Sequence, residues 1–291
     1  MTDVIDGKAV AAATRERVAK EVQSLYGAGP GQRPPGLATI LVGEDPASAV
    51  YVANKRRAVA QAGMADFHRA LPASATQAEV AAVIDELAAD PDVSGILLQL
   101  PLPSGLDSAA LIERIPVHKD VDGLTTLSAG LLARGLPGLR PCTPSGVIEL
   151  LGSAGVQIRG AHAVVVGRSE LVGRPMAQLL LQCDATVTIA HSRTRDLAAV
   201  TGTADILVAA AGVPGLIGAE HVKRGATVID VGIHRTADGL VGDVRTAELD
   251  GVAALVTPVP GGVGPMTIAM LLVNTLRAAQ WTSEQAGDGR A

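Results

Sequence analysis

Apolar residues recur along this chain in two rhythms. Residues 9–25 set Ala, Val and Leu against Arg, Glu and Lys at helical spacing, predicting an amphipathic helix closed by the break GQRPPG. LATILVG (37–43) is a short apolar run ended by the turn Gly43–Pro46, and predicts a buried strand. Ser48–Ala62 and residues 75–90 predict helices, and GILLQLPLP (95–103) predicts a second buried strand stopped by prolines. Strands with no polar face belong in a parallel sheet covered on both sides. A polar stretch, HKDVDG (118–123), separates this β-α-β pattern from TPSGVIELL (143–151), a helix with a Thr or Ser cap.

A strand–helix rhythm restarts at residue 161. AHAVVVG, ATVTIAHS, ADILVAAAG, ATVIDVG and AALVTPVP each predict a strand of a doubly wound, Rossmann-like unit. MTIAMLLVNTLRAAQ (266–280) predicts an amphipathic helix that returns to the first domain. The expected fold class is therefore α/β with two domains. The first, an α/β catalytic domain, covers residues 1–140 and is completed by a C-terminal helix at 268–285. The second is a nucleotide-binding domain at 141–267.

Composition narrows the function classes. A chain of 291 residues exceeds one comfortable core, which agrees with two domains. Aromatic residues are 1 % of the chain, so Ala, Val, Leu and Ile must build the cores, and base stacking on single-stranded nucleic acid is disfavoured. The net charge of −5 implies no basic face for nucleic acid or an acidic membrane. Cys142 and Cys183 supply neither a disulfide framework nor a CxxC pair, and the six histidines lack HxxxH spacing, so no metal site is expected. Cys142, between Pro141 and Thr143, reads as a packed thiol. The acidic N-terminus lacks a signal-peptide core, and no run of about 20 residues is apolar enough to span a bilayer, so a cytoplasmic protein is expected.

AVVVGRSELVGRPMAQLL (163–180) carries the first candidate chemistry. Gly167 permits a tight turn, Gly173 a close approach where the helix begins, and Pro175 suits a first helical position. The helix start offers free N–H groups to a pyrophosphate. The spacing is GxSxxxGxP rather than GxGxxG, so an ordinary strand–helix turn remains open at this point. The next strand ends His191-Ser192-Arg193, without the acid that binds the ribose hydroxyls of NAD. With Arg168 in the glycine loop, this favours the 2′-phosphate of NADP. Arg193 reads equally as a solvated charge.

The first domain holds a second constellation. Tyr51 and Lys55 lie four apart on a helix that starts beyond a strand's carboxyl end, where ligands bind in open α/β sheets. Gln99 interrupts an apolar run, and a buried amide without partners costs about 1–3 kcal/mol. Asp122 lies in KDVDG, and TPVPGGVGPMT (257–267) forms a rigid loop of little bulk that lets a flat ligand approach the backbone. Each has a plainer reading: surface decoration, a backbone partner, a helix cap, an interdomain connection.

Together, VGEDPASAVYVANKRRA, GILLQLPLP, KDVDG, RPCTPSG, VVVGRSELVGRPM, GDVR and TPVPGGVGPMT resemble the methylenetetrahydrofolate dehydrogenase/methenyltetrahydrofolate cyclohydrolase family of the bifunctional FolD type. The resemblance implies two reactions. NADP+ oxidises 5,10-methylenetetrahydrofolate to the 5,10-methenyl cation, and water opens that cation to 10-formyltetrahydrofolate. It also implies that Lys55 is the key group of the hydrolysis, that Gln99 is its polar partner, that Tyr51 shapes the folate site and that Asp122 holds the pterin. By the same resemblance Pro260, Gly264 and Thr267 line the folate pocket, Gly167, Arg168, Ser169, Ser192 and Ile233 bind the cofactor, and the enzyme is a homodimer. Ser128 stands where the family often has Asn. A dehydrogenase for another small substrate, or a nucleotide sensor without turnover, would share only the second domain's fold.

Overall fold

The computed structural model describes residues 1–27, 33–237 and 239–288. Part of the GQRPPG break lies outside the described residues. In chain order the elements are β1 (Asp3–Val4), α1 (Gly7–Tyr26), β2 (Gly36–Val42), α2 (Pro46–Gln61), β3 (Ala65–Leu71), α3 (Gln77–Ala89), β4 (Gly95–Leu98), α4 (Ser108–Ile112), α5 (Thr126–Ala133) and α6 (Cys142–Ser153). They continue with β5 (His162–Val166), α7 (Gly173–Gln182), β6 (Thr186–Ala190), α8 (Leu197–Thr201), β7 (Ile206–Ala209), β8 (Thr227–Asp230), β9 (His234–Thr236), β10 (Gly239–Val241), β11 (Leu255–Val256) and α9 (Val263–Asp288).

The chain divides into two compact units. One holds residues 13–142 and 268–291, the other residues 1–12 and 143–267. The first unit is built on a parallel sheet of order β3-β2-β4. β2 and β4 are almost wholly buried, as their unbroken apolar runs require. Ile40, Ile84, Leu87 and Ile96 form one side of the core, and Val59, Leu97, Leu139 and Leu272 the other. α2 begins cleanly because the Asp45 carboxylate accepts from the Ser48 N–H at 2.7 Å and Pro46 occupies the first helical position. α3 begins with a reciprocal box between Thr76 and Glu79.

The second unit carries a parallel sheet of order β1-β11-β8-β7-β5-β6, with an antiparallel β9–β10 hairpin after β8. Residues 1–12 belong here rather than with the first unit, where the sequence reading placed them. The Asp3 and Ile5 N–H groups each donate at 2.9 Å, to Ala254 O and Val256 O, so β1 extends this sheet.

Three further boundaries differ from those read in the sequence. β4 stops at Leu98, because Pro101 has no N–H to continue a ladder. α6 starts at Cys142, so Thr143 lies inside its first turn instead of capping it, and its hydroxyl meets that of Thr267 at 2.9 Å. α9 starts at Val263, which places Gly264 and Thr267 in a helical turn rather than in a loop.

Candidate active site

Both sheets reverse their order of growth once. β2 has β3 on one side and β4 on the other, so the ends of β2 and β4 frame a switch point, the usual ligand crevice of an open α/β sheet. α2 leaves from the end of β2 and carries Tyr51 and Lys55 one turn apart. Lys55 is buried, at 7 % exposure, and its Nζ donates to Gln99 Oε1 at 3.0 Å. Gln99 sits one residue past β4. Its own N–H donates to Ile40 O at 2.9 Å, extending the ladder, and its Nε2 donates to Leu100 O. The amide is thereby oriented with its oxygen toward the amine. Tyr51 is exposed at the same helix face, open to a ligand.

The two acids of KDVDG take different parts. Asp120 is buried and saturated: its carboxylate accepts from the N–H groups of Leu124 at 3.1 Å and Thr125 at 2.9 Å, and from Ser128 Oγ at 2.6 Å. Ser128 therefore acts through Asp120, closing the turn that leads into α5. Asp122 caps nothing. It is half-buried, and burial pushes its carboxyl up, opposed chiefly by the Lys55 charge and reinforced by Asp120. The Cys142 thiol hydrogen-bonds this carboxylate, and a carboxylate beside a buried amine is equipped to bind a polar ligand. Cys142 and Asn274, neither of them a candidate from the sequence, set the backbone beside it. Asn274 Nδ2 donates to Val121 O and Arg140 O, both at 2.8 Å, and the Cys142 thiol lies 3.3 Å from Val121 O. Burial, then the neighbouring Asp122, push that thiol well up, so it is a packing group, as read. The signal for Asn274 was an amide inside an otherwise apolar helix face.

In the second unit β5 has β6 on one side and β7 on the other, so the loop after β5 lies at this sheet's switch point. Gly167 has φ +129°, and a Cβ there would lie 2.0 Å from Ala210 O. A Cβ at Gly173 would lie 2.4 Å from Gly167 O. Both glycines are thus demanded by backbone packing. Pro175 is the third residue of α7 rather than the first, still within the turn whose N–H groups lack helical partners. Ser169 Oγ accepts from the N–H groups of Val172 at 3.2 Å and Gly173 at 3.3 Å, so it shapes the loop. Arg168, Ser192 and Arg193 are exposed around it, as is Ile233 after β8. Pro260, Gly264 and Thr267 belong to this unit, and a Cβ at Gly264 meets nothing within 4 Å.

A buried amine in one unit and a nucleotide cradle in the other are the equipment of a dinucleotide-dependent α/β enzyme. Residues 5–122 match the catalytic domain, and residues 141–283 the NAD(P)-binding domain, of tetrahydrofolate dehydrogenase/cyclohydrolase. The bifunctional protein FolD 2 of Frankia alni is 66 % identical over 97 % of this chain and 97 % of its own. The crystal structure of the bifunctional FolD enzyme of Campylobacter jejuni superposes with a TM-score of 0.93 at 43 % identity, over 97 % of this chain and all of that one. The Trypanosoma brucei FolD, complexed with NADP cofactor and inhibitor, gives a TM-score of 0.91 at 42 % identity, over 97 % of this chain and 98 % of that one.

The chain belongs to the tetrahydrofolate dehydrogenase/cyclohydrolase family. It is a bifunctional enzyme that oxidises 5,10-methylenetetrahydrofolate and hydrolyses 5,10-methenyltetrahydrofolate. The expected two-domain α/β class and the family resemblance both hold, and the readings as a sensor or as a dehydrogenase of unrelated substrates fall away.

Proposed function

We infer that Lys55 handles the protons of the hydrolysis, in a folate site completed by Tyr51, Gln99 and Asp122, and that the oxidation uses NADP+. The observation that carries the reading is the buried Lys55 amine fixed on Gln99 Oε1. Hydrolysis forms a bond from water oxygen to the cationic methenyl carbon and breaks the bond from that carbon to N5. Both protons must leave the water oxygen as it becomes the formyl C=O: one reaches N5 and the other is released. A lysine can exchange a proton at both points, whereas a permanently charged arginine cannot. Gln99 holds the amine in one rotamer. The Asp122 carboxylate accepts from the polar edge of the pterin, and Tyr51 offers a flat face to the folate. Pro260, Gly264 and Thr267 are assigned to folate binding on the family resemblance alone.

NADP+, when bound, accepts the hydride of the methylene carbon. Gly167 and the loop leading into α7 receive its pyrophosphate, and the cramped Gly167 and Gly173 positions fit such a cradle. Arg168 and Ser192 receive the 2′-phosphate, and Ile233 lies against the cofactor. Arg168→Ala is expected to raise the KM for NADP+ about tenfold, in line with losing one charge-assisted contact, and to leave the KM for NAD+ nearly unchanged. Equal losses with both cofactors would remove Arg168 from the 2′-phosphate. A homodimer and a cytoplasmic location complete the reading. A light-scattering mass twice that of one chain and recovery in the cytoplasmic fraction are the corresponding observations.

A further inference from the structure

Two buried carboxylates in the second unit have no part in the chemistry above. Asp230 ends β8, is 1 % exposed, and accepts from the N–H groups of Gly232 and Asp243, both at 2.9 Å, and of Val244 at 3.0 Å. Asp243 is fully buried. Its Oδ2 accepts from the N–H groups of Ala211 at 2.7 Å and Gly212 at 2.8 Å, and its Oδ1 lies 2.7 Å from His234 Nε2. Space around them is exhausted: a Cβ at Gly232 would lie 2.3 Å from Asp243 Oδ1, and one at Gly242 would lie 1.8 Å from Asp230 Oδ2.

The connections are selective. Asp243 ties the turn after β7, through Ala211 and Gly212, to the segment after β8, through His234. That turn is the one against which Gly167 packs, by way of Ala210 O. β6 and Ser192 lie on the other flank of β5. A dinucleotide laid across the strand ends with its adenosine half toward β6 must extend its other half toward β7 and β8. That direction rests on the assignment of Ser192 to the adenosine end.

We propose that Asp243 and His234 are positioning residues for hydride transfer, holding the β7 turn and the Ile233 segment as one wall for the nicotinamide half of the cofactor. Asp230 fixes the backbone on which this pair stands. Burial, partly offset by three backbone N–H groups, holds its carboxyl at about 6, far above the ordinary range, consistent with a closed knot rather than a solvent-facing acid. His234 is the accessible end of the system, with 21 % of its side chain exposed, so it can be altered without opening the core.

The test compares His234→Leu, His234→Gln and Asp243→Asn with the wild-type enzyme. Measured are dehydrogenase kcat, binding of NADP+ and of 2′,5′-ADP (the adenosine half alone), cyclohydrolase turnover of methenyltetrahydrofolate, and thermal midpoint. His234→Leu is expected to lower dehydrogenase kcat about tenfold to a hundredfold, the penalty of a misplaced reacting pair. Its 2′,5′-ADP affinity and cyclohydrolase rate should stay near wild type. His234→Gln, which keeps an N–H toward Asp243, should recover most of the loss. Unchanged dehydrogenase kcat in His234→Leu overturns the proposal. So does a loss that extends equally to 2′,5′-ADP binding and to hydrolysis, or one that Gln does not relieve. Asp243→Asn should reproduce the selective loss if it folds, and the two His234 variants decide the matter if it does not. Failure of wild-type enzyme to bind 2′,5′-ADP would instead count against the Arg168 and Ser192 assignment.

Discussion

Lys55→Met should lose cyclohydrolase turnover by at least about a hundredfold, the usual scale of a removed acid–base group, while retaining measurable oxidation of methylenetetrahydrofolate. Methionine matches the lysine stem in length and fills the same buried space, so the change removes the amine with little repacking. Two side effects follow from the geometry. Gln99 Oε1 loses its donor, a loss of about 1–3 kcal/mol if the oxygen stays dry. Asp122 also loses the main influence opposing its burial, so its carboxyl shifts further up and pterin binding weakens, most of all toward acidic pH. Lys55→Arg separates these effects. It keeps a cation beside Asp122 and a donor for Gln99, but cannot give up a proton. It should therefore show a folate KM close to wild type with hydrolysis still lost. Wild-type hydrolysis in Lys55→Met would remove Lys55 from the role assigned to it.

Gly167→Ala should cost the enzyme its tight NADP+ binding and part of its stability together. The residue sits at φ +129°, where an L side chain is strained by roughly 1–3 kcal/mol. In addition the new Cβ would face Ala210 O at 2.0 Å, a backbone atom that no rotamer change can move aside. The loop must open, carrying Ser169 and the start of α7 with it. Calorimetry should show a clearly lower thermal midpoint, and steady-state kinetics a KM for NADP+ raised about tenfold or more, the scale of lost positioning. Gly264→Ala is the internal contrast. Nothing stands within 4 Å of its Cβ, so its stability should stay within about 0.5 kcal/mol of wild type. An unshifted midpoint with normal NADP+ kinetics in Gly167→Ala would mean the loop is not set by that contact.

How much of this was legible in the sequence depends on where each signal resided. Apolar runs marked β2, β5, β7 and β8 because both faces of those strands are covered, which leaves no alternative composition. β3, ADFHRAL, escaped because it is an edge strand with only half-buried and exposed positions, so its polar residues mask the pairing with β2. β1 is two residues long and gains its place only by pairing with β11, a partner more than 250 positions away in the chain. Among site residues, Gln99 was readable as an odd polar group in an apolar run, whereas Lys55 was marked only by its spacing from Tyr51 on a helix that starts past a strand end. Which acid of KDVDG is occupied by the fold was not legible in spacing, since it depends on where three donors meet Asp120. Asp243 stood in the GDVR stretch but neither it nor His234 showed a role there, because that role lies in N–H groups of a distant turn.

The most direct test of the central claim is a single reaction. The purified enzyme is mixed with 5,10-methylenetetrahydrofolate and NADP+, and NADPH and methenyl absorbance are followed side by side in wild type and Lys55→Met. Wild type should form NADPH with little standing methenyl signal, and the variant should form NADPH more slowly with accumulating methenyl. No NADPH in wild type, or the same low methenyl level in both, would contradict that claim.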